Sequence, residues 1–198
     1  MKLFVAVLAS LFMSFDVVAQ EPVKLPAPDL TGGMPLMQAI KERKTERAFS
    51  TEALDDQTLS DILWTAWGYN RPDKRTIPTA RNRQNMEVYV LKADGAFRYD
   101  ARANSLIPVT AQDLRPFAAK QDFVLNAPVT LLFVADEDDK YAGMHAGSAY
   151  QNVGLYCASK GLYNVVRGMI DRDALAKALG IEDEDDIIIS QTVGKPAK

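Results

Sequence analysis

A chain of 198 residues, 47% hydrophobic and 25% charged, is long enough for one globular domain with a sizeable core. Its net charge of -3 excludes the global basic field that nucleic-acid binding draws on. A single cysteine, Cys157, excludes an intramolecular disulfide, and a single histidine, His145, argues against zinc held by several Cys or His ligands.

Residues 1–19 have the plan of a secretory signal peptide. Lys2 is a minimal positive n-region, Leu3 to Phe15 is apolar, and Val17-Val18-Ala19 resembles a small-residue cleavage site before Gln20. The run is short for a membrane span, and an uncleaved anchor is the alternative. No cysteine follows the cleavage site, so nothing points to a lipoprotein. This leader predicts an exported protein, periplasmic or secreted, in which Cys157 is a free thiol acting as a small buried apolar residue. Residues 20–33, with Pro22, Pro26, Pro28 and Gly32-Gly33, read as an extended linker or arm, so the folded domain is expected over 34–198.

A first helix is predicted from Pro35 to Lys44, with Leu36, Ile40 and Met37 as its apolar face. It runs into Arg43-Lys44-Thr45-Glu46-Arg47-Ala48-Phe49. There Arg43, Thr45 and Arg47 can project to one side where helix gives way to extended chain, a mixture that suits a phosphate. The same residues also suit a solvated helix C-terminus. Asp55 or Asp56 caps a second helix ending at Trp67-Gly68, with Leu59, Ile62, Leu63 and Ala66 on its apolar face. Trp64 and Trp67 read as core or interface. The polar, basic stretch that follows has no apolar periodicity and reads as a long loop. Its arginine and amide groups, Arg81, Asn82, Arg83 and Gln84, suit either an anionic or heteroaromatic ligand or a solvated turn.

Met86–Lys92 is a strand, turned back at Asp94-Gly95 into Phe97–Asp100, with a further extended piece at Leu106–Val109. Leu114 to Leu125 is helical in part. Val129–Ala135 is an unbroken apolar run, as expected of a central strand buried on both faces. A long helix over Ala142–Lys160 is closed by Gly161, and its many small residues permit close helix contact. His145 within it reads as a helix-surface or core residue. Leu162–Val166 is extended, Asp171 caps a helix over Arg172–Leu179, and a last strand starts at Ile187 and runs on toward Val193.

Taken in order, four stretches resemble the nitroreductase family of flavin mononucleotide (FMN) oxidoreductases. Arg43 to Phe49 is similar to the family's R-x-S-x-[RK]-x-F, with Thr45 at the serine. Pro78-Thr79-Ala80-Arg81-Asn82-Arg83-Gln84, just before a strand, is similar to P-S-x-x-N-x-Q, although Asn85-Met86 stands where many members have Pro-Trp. Lys160-Gly161-Leu162 leading to Val166-Arg167-Gly168-Met169 resembles the G-L helix end and the x-x-G-F turn, and Val193-Gly194-Lys195 resembles the terminal strand end. Trp64 to Thr76 resembles the branch that includes the thiazole- and oxazole-forming peptide dehydrogenases.

The resemblance implies an α+β fold with a mixed, mainly antiparallel sheet flanked by helices, and a homodimer with FMN at the interface. It also implies roles. Arg43, and Lys195 or Lys198, hold the phosphate; Lys44 and Thr45 contact phosphate, ribityl or ring edge; Arg47 sits near the pyrimidine. Pro78, Thr79, Ala80 and Asn82 reach the partner's flavin, and the Arg167-Gly168 backbone approaches the ring. At a position often acidic in the family, Arg167 is expected to place a positive charge beside the ring edge and to favour anionic substrates. No side-chain acid or base is expected, because the flavin does the chemistry. The implied function is an FMN-dependent oxidoreductase, with NAD(P)H or another donor and a small organic acceptor such as a nitroaromatic or quinone. The rival functions are a non-catalytic flavin-binding module or carrier, and a fold that has lost its cofactor.

Overall fold

The computed structural model describes residues 21–136 and 139–197; the expected leader, residues 1–19, and Lys198 lie outside them. Among the described residues a seven-stranded sheet runs in the order β1 (Val23–Lys24), β6 (Ser105–Thr110), β5 (Gly95–Asp100), β4 (Met86–Lys92), β7 (Val129–Ala135), β9 (Ile187–Gly194), β8 (Tyr163–Arg167). Each described pairing is antiparallel, where the resemblance implied a mixed sheet. β7 lies inside the sheet between β4 and β9, and all its residues are buried. Leu131 and Phe133 pack to one side with α2 (Asp56–Trp67) and α3 (Ala142–Lys160). Leu132 and Val134 pack to the other with Leu175 and Leu179 of α4 (Arg172–Leu179). With a two-residue period and a helix layer on each side, both alternating sets must be apolar, hence the unbroken run.

Helix ends follow the local chemistry. Asp55 accepts the Thr58 N–H at 2.7 Å, and Asp171 accepts the Ala174 N–H at 3.1 Å, so each satisfies an orphan donor of the first turn. Gly161 closes α3 and Gly180 closes α4, both in the left-handed region. Gly68 closes α2 for a different reason. Its φ is -67°, but a Cβ there would lie 2.3 Å from the Trp64 ring. No helix of the described residues is long and apolar enough to cross a membrane.

Three sequence expectations are corrected. Helix α1 (Leu36–Glu42) buries Ala39 and leaves Leu36, Met37 and Ile40 exposed, so the face read as core is a bare apolar face. The stretch read as structureless contains a hairpin, β2 (Tyr69–Arg71) with β3 (Lys74–Arg75), around Pro72-Asp73. No apolar alternation announces it because cations on aromatic rings hold it: Arg75 lies over Trp67 and Tyr69, and Arg102 lies over the Tyr69 ring. The arm packs on its own chain, through β1, buried Leu25, the Asp29 N–H on Asp61 Oδ1 (2.8 Å) and the Met34 N–H on Ser159 Oγ (2.7 Å).

Candidate functional site

The basic segment after α1 is held by backbone bonds to the sheet edge. The Glu46 N–H donates to Asn164 O at 3.0 Å, Phe49 bridges Pro196, and the Ser50 and Ala197 N–H groups donate to Lys195 O and Ala48 O. Arg43, Lys44, Thr45 and Arg47 are thus fixed beside β8 and Lys195. Arg43 threads past Gly154 of α3, where a Cβ would sit 3.5 Å from its Cδ and 3.6 Å from Asn164 Oδ1. A hollow of about 240 Å3 opens here between Gln38, Lys44, Glu46, Tyr163 and Asn164. Lys44 is ion-paired to Glu46 at 2.6 Å, which holds its ammonium above the ordinary lysine value, and Lys195 is ion-paired to Glu52. No partner within the described residues engages the guanidiniums of Arg43 and Arg47 or the hydroxyl of Thr45. Beneath them Gln191 donates to Asn164 Oδ1 at 3.1 Å and to Tyr150 O, and its Oε1 is buried without a partner.

The loop Pro78 to Gln84 lies elsewhere on α3. Arg81, Asn82 and Gln84 all have φ between 51° and 56°. For side chains other than glycine this conformation costs roughly 1–2 kcal/mol each, so contacts must impose it. Four contacts are on hand. His145 Nε2 accepts the Ala80 N–H at 2.8 Å; the Asp73 carbonyl accepts Gln84 Nε2 at 2.7 Å; Asp139 takes Asn85 Nδ2 and the Arg83 guanidinium, each at 2.9 Å. These bonds, with the Tyr141 N–H, hold the Asp139 carboxyl below the usual carboxylate range, the Asn85 bond first. Sequence reasoning missed His145 and Asp139 as loop anchors. The only available signal was that His145 is the sole histidine.

The loop and the basic segment are anchored at different points of α3. His145 and Gly154 stand nine positions apart on α3, a rise of about 13 Å. The structure therefore brings Arg43, Lys44, Thr45, Arg47 and Lys195 together, and Pro78, Thr79, Ala80 and Asn82 together, as two separate groups.

Arg167 corrects a further expectation. Its side chain is only 6% exposed and turns into the protein. It donates to Ala118 O at 2.7 Å, Met169 O at 3.3 Å and Thr192 Oγ1 at 3.3 Å, and lies 5.8 Å from the Phe123 ring. Burial lowers its pKa from the usual arginine value. The positive charge expected at a ring edge is spent on backbone carbonyls. What it leaves accessible is the turn itself, where Gly168 is exposed and its carbonyl takes the Ile170 N–H at 3.0 Å.

The chemistry of the donors fits FMN. Two unengaged guanidiniums and a hydroxyl suit a phosphate, and a glycine turn admits close backbone approach to a planar ring. Among the described residues no group of three or more His, Cys, Asp or Glu could hold a metal ion.

Comparison with known proteins gives the same direction. The profile of the nitroreductase family matches residues 40–195. A crystal structure of a candidate nitroreductase from Ralstonia eutropha JMP134 is 37% identical, covering 91% of this chain and 92% of that one, with a TM-score of 0.82. A candidate nitroreductase from Desulfovibrio desulfuricans, in complex with FMN, is 24% identical over 84% of this chain and 89% of its own, with a TM-score of 0.57. The E. coli microcin synthetase McbBCD complex, with truncated pro-MccB17 bound, shares the fold at 17% identity, covering 98% and 85%, with a TM-score of 0.64. No curated protein matches the chain.

Proposed function

The chain belongs to the nitroreductase family and is an FMN-dependent oxidoreductase; from that premise we propose that it works as an exported homodimer with one FMN held at each end of the subunit interface. One observation supports the dimer. Two groups with flavin-binding chemistry are anchored on α3 about 13 Å apart in one chain, which favours a reading in which a second copy supplies the loop to the basic segment. The bare apolar face of Leu36, Met37 and Ile40 on α1, next to the basic segment, supports the same reading.

In this arrangement Arg43, Thr45 and Arg47 receive the phosphate and the polar edge of the cofactor. Lys195, exchanging Glu52 for phosphate, or Lys198 joins them, and Lys44 joins by exchanging Glu46. The partner's Pro78, Thr79, Ala80 and Asn82 close over the ring, and the Arg167-Gly168 backbone borders it. Bound FMN supplies the hydride or two-electron chemistry. The cations stabilise negative charge that develops on reduction, and the glycine turn keeps the approach of a substrate short.

The acceptor is a small organic molecule such as a nitroaromatic or a quinone. NADH or NADPH is the simplest donor, but export separates the protein from soluble nicotinamide, so another donor serves outside the cytoplasm. The test is an absorption spectrum of the purified protein. Flavin bands that bleach on anaerobic addition of a donor and return with a quinone support the enzyme. Flavin bands with no turnover support a flavin-binding module, and colourless protein that cannot be reconstituted with FMN removes the proposal. An intact Met1 in the mass spectrum of the exported protein would remove the cleaved leader.

A further inference from the structure

The strained loop poses its own question: what decides whether it is held? The Ala80 backbone is bonded to α3, and the acceptor is the imidazole of His145, 3% exposed. Accepting an N–H at Nε2 leaves that nitrogen no proton of its own, so the neutral ring carries its proton on Nδ1. Nδ1 is itself buried without a partner. The ring is thus present for the bond it accepts. A second proton would go to Nε2 and set one N–H against another, with no acceptor for either end of the ring. We propose that His145 is the positioning residue of the flavin-binding loop, its Nε2 holding the Ala80 N–H, and that loss of this acceptor releases the loop and weakens cofactor binding. The proposal rests on the reading of the loop as part of the FMN site.

The test compares FMN affinity, from quenching of flavin fluorescence, in the wild type, His145→Gln and His145→Leu. The glutamine amide oxygen is an acceptor; leucine is none. We expect His145→Leu to bind FMN about tenfold or more weakly than the wild type and His145→Gln to recover most of the loss. Wild-type affinity in His145→Leu, or no recovery in His145→Gln, overturns the proposal. Wild type that binds no FMN overturns instead the flavin reading on which it stands. Because the chain has one histidine, the ring nitrogen shifts of untagged protein give a readout independent of FMN. A proton on Nδ1 is expected; a proton on Nε2 in the native state overturns the assignment even where the leucine variant fails to fold.

Discussion

Asp55 stands just before α2, and its carboxylate accepts the Thr58 N–H. That bond holds its pKa below the usual value, first through the backbone of Thr58 and then through its side chain. A depressed carboxylate stabilises the fold above its unfolded pKa, and the contribution is lost as pH falls through the folded pKa. Asp55→Ala is therefore expected to cost about 1 kcal/mol at neutral pH, read as a lower denaturant midpoint, with the gap to wild type closing in strong acid. Arg167 gives a prediction of another kind. Arg167→Ala orphans the Ala118 carbonyl and leaves a void beside Phe123, so it should lower stability by about 2–4 kcal/mol. Because the guanidinium points inward, the ratio of rates with anionic and neutral acceptors should stay within about twofold once folded protein is compared. A large shift in that ratio would restore the charge to the ring edge. Both residues could be numbered in the sequence, but only one could be understood there. A cap acts three residues away and is legible locally; the partners of Arg167 come from Ala118, Met169 and Thr192, which only the folded sheet assembles.

Among elements, the same distinction between local and distant causes decides what the sequence reveals. β4, β7 and α3 occur with the bounds the sequence predicts: in β7 burial by neighbours on both sides writes itself into every residue, and α3 stops where Gly161 caps it. The β2–β3 hairpin is invisible to periodicity because stacked arginines, not an apolar face, stabilise it. Helix α1 misleads in a more useful way. Its apolar spacing is real, yet Leu36, Met37 and Ile40 are bare, with Met37 at 75% exposure. Among the described residues nothing covers this face, and under the proposed dimer the candidate cover is a second copy. Met37→Glu with Ile40→Lys is accordingly expected to leave the monomer folded, since neither side chain is core, but to shift sedimentation from dimer to monomer. A variant that still sediments as a dimer would place the interface elsewhere.

For the molecule as a whole, the order of four motifs already resembled one family, and the fold agrees; what the sequence could not supply was the distance between two of those motifs. In one chain the basic segment lies over Gly154 and the loop is bonded to His145, and under the proposed dimer each pocket combines the two from different copies. This makes a prediction about mixtures. Arg43→Ala removes a phosphate donor and should weaken FMN binding tenfold or more, by the roughly 1.5–3 kcal/mol of a hydrogen bond to a charged group. A loop variant such as Thr79→Ala with Asn82→Ala should weaken it from the other side. If each pocket combines the basic segment of one chain with the loop of the other, a heterodimer of the two variants contains one pocket with both defects and one with none. Random mixing makes about half of the dimers hybrid, so about a quarter of all pockets should regain wild-type affinity after the variants are unfolded and refolded together. The measurement is the fraction of tight FMN sites in a fluorescence titration before and after mixing. If all the ligands came from one chain, mixing would restore nothing, because every pocket would keep the defect of its own chain.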